Sequence, residues 1–220
     1  MDIGRSFSYV LEDEDWWKKI LIGGLLTLIP VFGQFYGLGY LVVAIKNVID
    51  GREVPLPEAM EDLGGKFMKG LMVFVIGFVY MLPFIVVGAC AGGGASAFAS
   101  IIDDSDTAGI VSGIWGACFG CLSILYSIFV GLLLPFAIAT YADTGVLGDA
   151  FKVGNMFGLL KANIGPAFIV LLMQAVAGML ASIAGTILCG IGLFATAFFA
   201  QLIMAYLYGT LYAKARQATL

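Results

Sequence analysis

The run "GLMVFVIGFVYMLPFIVVGAC", residues 70–90, is apolar on every side and decides the class of fold. In lipid, only a helix or a closed barrel satisfies its own backbone hydrogen bonds. Barrel strands alternate apolar and polar residues over segments of about 10, and this run does not alternate. A helix crosses the hydrocarbon with about 20 apolar residues, so the run reads as a transmembrane helix. It lies within one of four stretches that carry no Asp, Glu, Lys or Arg: residues 20–45, 70–102, 107–142 and 162–213. The whole composition agrees, since 61% of the 220 residues are hydrophobic and 12% charged, against roughly 45–50% and 25% in a soluble domain. The expected fold is all-α, a polytopic integral membrane helical bundle forming one membrane domain over residues 1–220. The acidic, aromatic start lacks the basic leader and cleavage pattern of a secretory peptide, so the N-terminus is expected to be retained.

Basic residues set the expected topology, because short cytoplasmic loops collect Lys and Arg. The loop with Asp103, Asp104 and Asp106 has none and is placed outside. Lys46, Arg52, Lys66 and Lys69, then Lys152 and Lys161, then Lys214 and Arg216, fall inside if residues 70–94 and 112–140 each cross once. The 52 uncharged residues 162–213 suffice for two crossings with a tight turn at "CGIG", residues 189–192. That makes about four full spans. The first stretch is ambiguous, since its 26 residues are long for one span and short for two. Pro30 and Gly33 in "IPVFGQ" favour a break. The preferred reading is a broken hairpin, with helices at residues 16–29 and 34–49, which leaves all 11 basic residues inside. A single crossing would instead put Arg5, Lys18 and Lys19 outside.

Amphipathic interfacial helices are expected ahead of the membrane units. Ile3, Phe7, Val10 and Leu11 share one helical face. Met60, Leu63, Phe67 and Leu71 share a second, after Pro57, which suits a first helical turn. Ala150, Val153, Phe157 and Leu160 share a third. The recurrence suggests units of surface helix plus hairpin over residues 1–50, 55–140 and 146–213, with "IGRSFSYV" and "LGDAFKVG" alike in their second and fifth residues. Trp16, Trp17, Lys18 and Lys19 read as an anchor, with rings at the boundary and ammonium groups on lipid head groups.

Small residues are the most conspicuous feature inside the spans. Gly88 and Gly92, Gly116 and Gly120, and Ala177, Ala181 and Gly185 are each four apart, the spacing that lets helix backbones approach closely in lipid. They read first as packing within the chain and second as a face for self-association or for another membrane subunit. Cys90, Cys118, Cys121 and Cys189 read first as small packing residues and second as a disulfide between spans. Redox chemistry at "CFGC" would need an exposed, electropositive thiol. Gln34, Gln174 and Gln201 are the strongest polar groups within the stretches and are expected to bond between helices, or to line a pore. Ion coupling typically uses an ionisable residue within the membrane, and none is present there. Asp143, just past a span, is the nearest acidic candidate and reads equally as a loop aspartate.

With no histidine in the chain, neither a Ser-His-Asp nor a Cys-His arrangement can form. With no histidine and four cysteines dispersed among apolar residues, the usual zinc sites are not expected, and "DDSDTAG" lacks the full loop and distal glutamate of a calcium loop. No catalytic residue, metal ligand or cofactor is expected. A net charge of −4 without a basic cluster argues against nucleic acid.

Several motifs together resemble a prokaryotic membrane family of unknown function, DUF4013. They are the Phe7-x-Tyr9 pair, "DEDWWKK" at residues 13–19, "IPVFGQ" at 29–34, Gly39 with Tyr40, "PLPE" at 55–58, and "LPFAIATYADTGVLGDAF" at 134–151. Residues 59–67, "AMEDLGGKF", depart from relatives that carry Trp and Asp there. The resemblance implies a multi-helix membrane protein of a bacterium or archaeon, with no activity to carry over. The functional expectation is a non-enzymatic structural or accessory subunit, with membrane lipids and either itself or other membrane proteins as partners. The alternative is a transporter or channel for a small neutral or hydrophobic solute. The expected location is the inner (cytoplasmic) membrane, with both termini cytoplasmic.

Overall fold

A computed structural model describes residues 3–52, 56–101, 105–187 and 191–218. Among these, the regular structure is helical, with no strand. The helices are α1 (Ile3–Leu11), α2 (Trp16–Thr27), α3 (Phe32–Ile49), α4 (Leu63–Ile101), α5 (Ser105–Thr144), α6 (Val153–Ala162), α7 (Ile164–Ile187) and α8 (Ile191–Ala218), with a 3₁₀ turn at Leu147–Phe151. Five of them, α3, α4, α5, α7 and α8, are long and apolar enough to cross a membrane. The chain is thus an all-α bundle of the polytopic membrane kind. The proposed turn at residues 189–192 falls largely outside the described residues, as do Asp103, Asp104 and Cys189.

The first apolar stretch is a hairpin. Its arms have 12 and 18 residues, hence lengths of about 18 and 27 Å. The break is a γ-turn centred on Val31, whose φ is 67° and ψ −59°, closed by the Phe32 N–H donating to the Pro30 carbonyl at 2.7 Å. Gly33 acts differently from the helix breaker expected of it. It lies inside α3, and a Cβ there would come within 2.5 Å of the Leu26 and Thr27 backbone. Glycine is therefore what lets the two arms meet at the turn.

Two of the expected surface helices are redrawn. Residues 56–62 are not helical, and α4 begins at Leu63 as one continuous helix of 39 residues. Asp62 caps it, its carboxylate accepting from the Gly65 N–H at 3.0 Å. In the third segment, a non-helical Lys152 separates the 3₁₀ turn from α6 and shifts the helical phase. Ala150, Met156 and Leu160 are consequently buried, while Val153 and Phe157, expected on the same face, are about half exposed. In α1 the inward residues are Ser6, Tyr9 and Val10, and Leu11 points out.

The chain divides into two compact units. Unit one comprises Met1–Ile76 and Leu132–Leu220 and is organised around α8, which contacts α1, α2, α3, α6 and α7. Its core includes Tyr9, Tyr36, Tyr40, Leu56, Phe198 and Leu202. Lipid is as apolar as leucine, so close backbone approach matters more than exclusion of water. Helices α3 and α4 cross where a Cβ on Gly39 would lie 1.6 Å from the Lys66 carbonyl oxygen and one on Gly70 would lie 1.7 Å from that of Phe35.

Unit two, Gly77–Gly131, holds the distal part of α4 and the proximal part of α5. Phe84 stacks on Phe119 and Tyr126, with centroids 5.7 and 5.8 Å apart. The Trp115 indole N–H donates to the Ala91 carbonyl at 3.0 Å, and the Tyr126 hydroxyl donates to that of Tyr80. The unit boundaries do not coincide with the segments 1–50, 55–140 and 146–213.

Candidate functional site

The charged residues of unit one gather at one end of its helices. Lys19, at the start of α2, is 5% exposed. It donates to the Asp13 carboxylate at 2.8 Å and to the Leu56 carbonyl at 3.3 Å, with a Glu58 oxygen 3.0 Å away. Burial works to lower the ammonium pKa, but the bonds to Asp13 and Glu58 outweigh it and hold Lys19 above its ordinary value. The expected head-group anchor is therefore only partly present. Lys18 lies against Trp17 and Asp15 at the surface, whereas the helical turn carries Lys19 inward. Lys66 is also buried. Its ammonium donates to the Glu58 and Glu61 carbonyls and lies over the Tyr36 and Tyr40 rings. In turn, the Tyr36 hydroxyl donates to the Ala59 carbonyl at 2.7 Å and that of Tyr40 to Pro57 at 2.6 Å. These bonds explain why residues 57–62 do not continue α4: their carbonyls face side chains of α3 and α4.

Asp143 forms a second knot at this end. One carboxylate oxygen lies 3.0 Å from the Lys46 ammonium, and the other accepts from Arg216 at 3.0 Å and from the Tyr212 hydroxyl at 3.3 Å. Lys46 also pairs with Asp50 at 3.1 Å. The aspartate thereby ties the ends of α3, α5 and α8, and it is no free loop residue. Sequence reading found Asp143 but not its partners, which lie 97 and 73 positions away. Among the described residues, no cluster of His, Cys, Asp and Glu could hold a metal ion.

The three glutamines have different surroundings. Gln174 on α7 accepts from the Tyr208 hydroxyl of α8 at 2.9 Å, an interhelical bond. Gln34 is exposed near the start of α3. Gln201, on α8, has a buried side-chain oxygen without a hydrogen-bond partner, the one such buried side-chain atom among the described residues. That oxygen lies 3.1 Å from where a Cβ on Gly37 would be. Two cavities meet at Gln201. One, of about 290 Å³, is lined by Thr27, Gly33, Gln34, Leu38 and Phe198. The other, of about 350 Å³, is lined by Gln174, Gly178, Ser182, Ala200 and Met204. Leu193, Ala197 and Gln201 border both.

The small-residue candidates separate by position. Ala177 is buried, the Ala181 carbonyl accepts from Thr196, and a Cβ on Gly185 would meet Leu193 at 2.5 Å. In unit two, a Cβ on Gly88 would lie 3.3 Å from the Phe119 ring, whereas one on Gly92, Gly116 or Gly120 would meet nothing within 4 Å. Cys90, Cys118 and Cys121 are exposed free thiols, so no disulfide joins these three.

Helices of membrane-spanning length, a one-ended charged network and amides within the apolar layer define a polytopic helical membrane protein. The family model described as "Protein of unknown function (DUF4013)" matches residues 22–190, and the chain belongs to that family. The matched span takes in the Val31 turn, the loop around Lys66, Asp143 and Gln174. Tyr9, Asp13, Lys19 and Gln201 lie outside it, including the two N-terminal motifs that entered the resemblance. No curated protein and no solved structure matches the chain.

Proposed function

We propose that this chain is a non-enzymatic structural or accessory subunit of a prokaryotic cytoplasmic membrane, docking to a second copy or another membrane protein through unit two. The reading is carried by glycines of unit two that face open space. In unit one, Gly33, Gly39 and Gly70 lie against backbone of neighbouring segments. In unit two, Gly113, Gly116 and Gly120 have open space where a Cβ would stand, beside exposed Ile110, Ile114 and Leu122. Small residues flanked by bulky apolar ones suit close packing between helices in lipid. α1 and α6 lie in the interface, and the charged end with both termini faces the cytoplasm.

The exposed thiols of Cys118 and Cys121 provide the test. A bifunctional thiol reagent applied to native membranes should join the chain to another copy or to a co-purifying membrane protein. Gly116→Leu with Gly120→Leu should reduce that product at least about tenfold and leave the unfolding temperature unchanged. Absence of any product or partner, or a product indifferent to the substitutions, would remove the proposal.

A further inference from the structure

We propose that the cleft between α6 and the end of α8 binds a phosphate ester that carries no ammonium group, either the head group of an anionic lipid or a soluble ester. The site lies wholly in unit one, so it is independent of docking through unit two.

The cleft has a volume of about 440 Å³ and draws on three helices. Gly154, Asn155 and Gly158 border it from α6, Tyr212 and Arg216 from α8, and Thr140 from α5. The two glycines are one turn apart, and so are Tyr212 and Arg216. α6 and α8 do not close on each other along this strip, since a Cβ on Gly154 or Gly158 would meet nothing within 4 Å. The polar groups that matter are reachable: the Arg216 side chain is 59% exposed, and Asn155 is exposed as well.

Charge decides the chemistry of the occupant. Among the described residues, Arg216 is the one charged residue that borders the cleft, and no Asp or Glu does. Its Nη1 donates to Asp143 at 3.0 Å, but that carboxylate also takes the Lys46 ammonium and the Tyr212 hydroxyl. The next carboxylate of the network, Asp50, pairs with Lys46. Asp143 thus divides one negative charge between two cations, and Arg216 keeps part of its positive charge for the cleft. A guanidinium presents paired N–H groups that match phosphate oxygens, and the amide of Asn155 supplies a further donor. An ammonium in the occupant would meet Arg216 and no carboxylate of the cleft, which disfavours ethanolamine and choline esters. Arg216 stands at the charged end of unit one, the depth of lipid head groups, where basic pockets between helices take phosphate. The volume beyond the phosphate itself accommodates the glycerol that carries it.

The experiment uses the full chain purified in a non-ionic detergent, with lipid added stepwise and bound lipid counted by native mass spectrometry. Phosphatidylglycerol should be retained at least about tenfold more tightly than phosphatidylcholine of the same acyl chains. Gly158→Leu fills the cleft without altering any charge, and should reduce phosphatidylglycerol retention at least about tenfold while leaving phosphatidylcholine unchanged. Arg216→Gln should do the same and serves if the first variant does not fold. Excess glycerol phosphate separates the two sources of the group: displacement of the lipid assigns the cleft to a soluble ester, and retention of the lipid assigns it to the head group. Equal retention of the two lipids would overturn the proposal. Phosphatidylglycerol retention unchanged in a folded variant would overturn it too, because general attraction to the basic residues would then account for the binding. Loss of cross-linking through unit two with lipid retention intact would count against the docking role alone.

Discussion

Asp143 gathers Lys46, Tyr212 and Arg216 from two other helices, and the buried Lys66 and Lys19 both bond to the loop ahead of α4. Both are residue-scale devices that hydropathy does not reveal, because a local pattern carries no information on partners many turns away. Glycines show the same divide. Their spacing marked Gly116 and Gly120, where an added Cβ would meet nothing within 4 Å, and passed over Gly39 and Gly70, where two backbones meet. Steric room settles which of them matter to stability. In Gly39→Ala the new methyl would stand 1.6 Å from a backbone oxygen, and neither helix can yield without loosening the crossing. The expected loss is at least about 3 kcal/mol, read as a fall in unfolding temperature in detergent. A variant as stable as the parent would mean that α3 and α4 do not cross at this point.

Among the elements, the hairpin α2–α3 was the most legible, since Pro30 marks a break in an otherwise unbroken apolar run and both arms end within two residues of the expected places. Less legible was the phase of segment 147–162, because one non-helical residue, Lys152, rotates everything after it. The start of α4 was misplaced for a related reason: Pro57 suits a first turn, but carbonyls needed by Lys66, Tyr36 and Tyr40 hold residues 57–61 out of the helix. The Val31 turn supports its own prediction. A β-branched residue at φ 67° bears a cost of roughly 1–3 kcal/mol, and Val31 is 68% exposed, so little packing opposes its replacement. Val31→Gly relieves that cost and gives back part of it through a more flexible unfolded chain. The net gain should be about 1 kcal/mol, seen as a higher unfolding temperature. A lower one would show that Val31 does not occupy this turn.

At the scale of the whole molecule, the question left by the first apolar stretch was whether it crosses once or returns. Lys19 at the beginning of α2 and Asn47 near the end of α3 line the same cleft, of about 430 Å³, so the hairpin begins and ends at one end of unit one. Lys46 at that end pairs with Asp143, which also holds Arg216 near the end of α8. The basic residues of α2, α3, α4 and α8 therefore share an end, an arrangement in which the preference of Lys and Arg for the cytoplasmic side acts on all of them together. A mixed orientation would bring part of this network across the membrane. The prediction concerns two positions in a cysteine-free background. Ser8→Cys on the exposed side of α1 should resist an impermeant maleimide applied to intact cells and react once the membrane is opened, while Asp106→Cys at the start of α5 should react in intact cells. Reaction at Ser8→Cys from outside would reverse the proposed orientation of unit one. Protection of Asp106→Cys until the membrane is opened would break the assignment at the other end, even with Ser8→Cys protected.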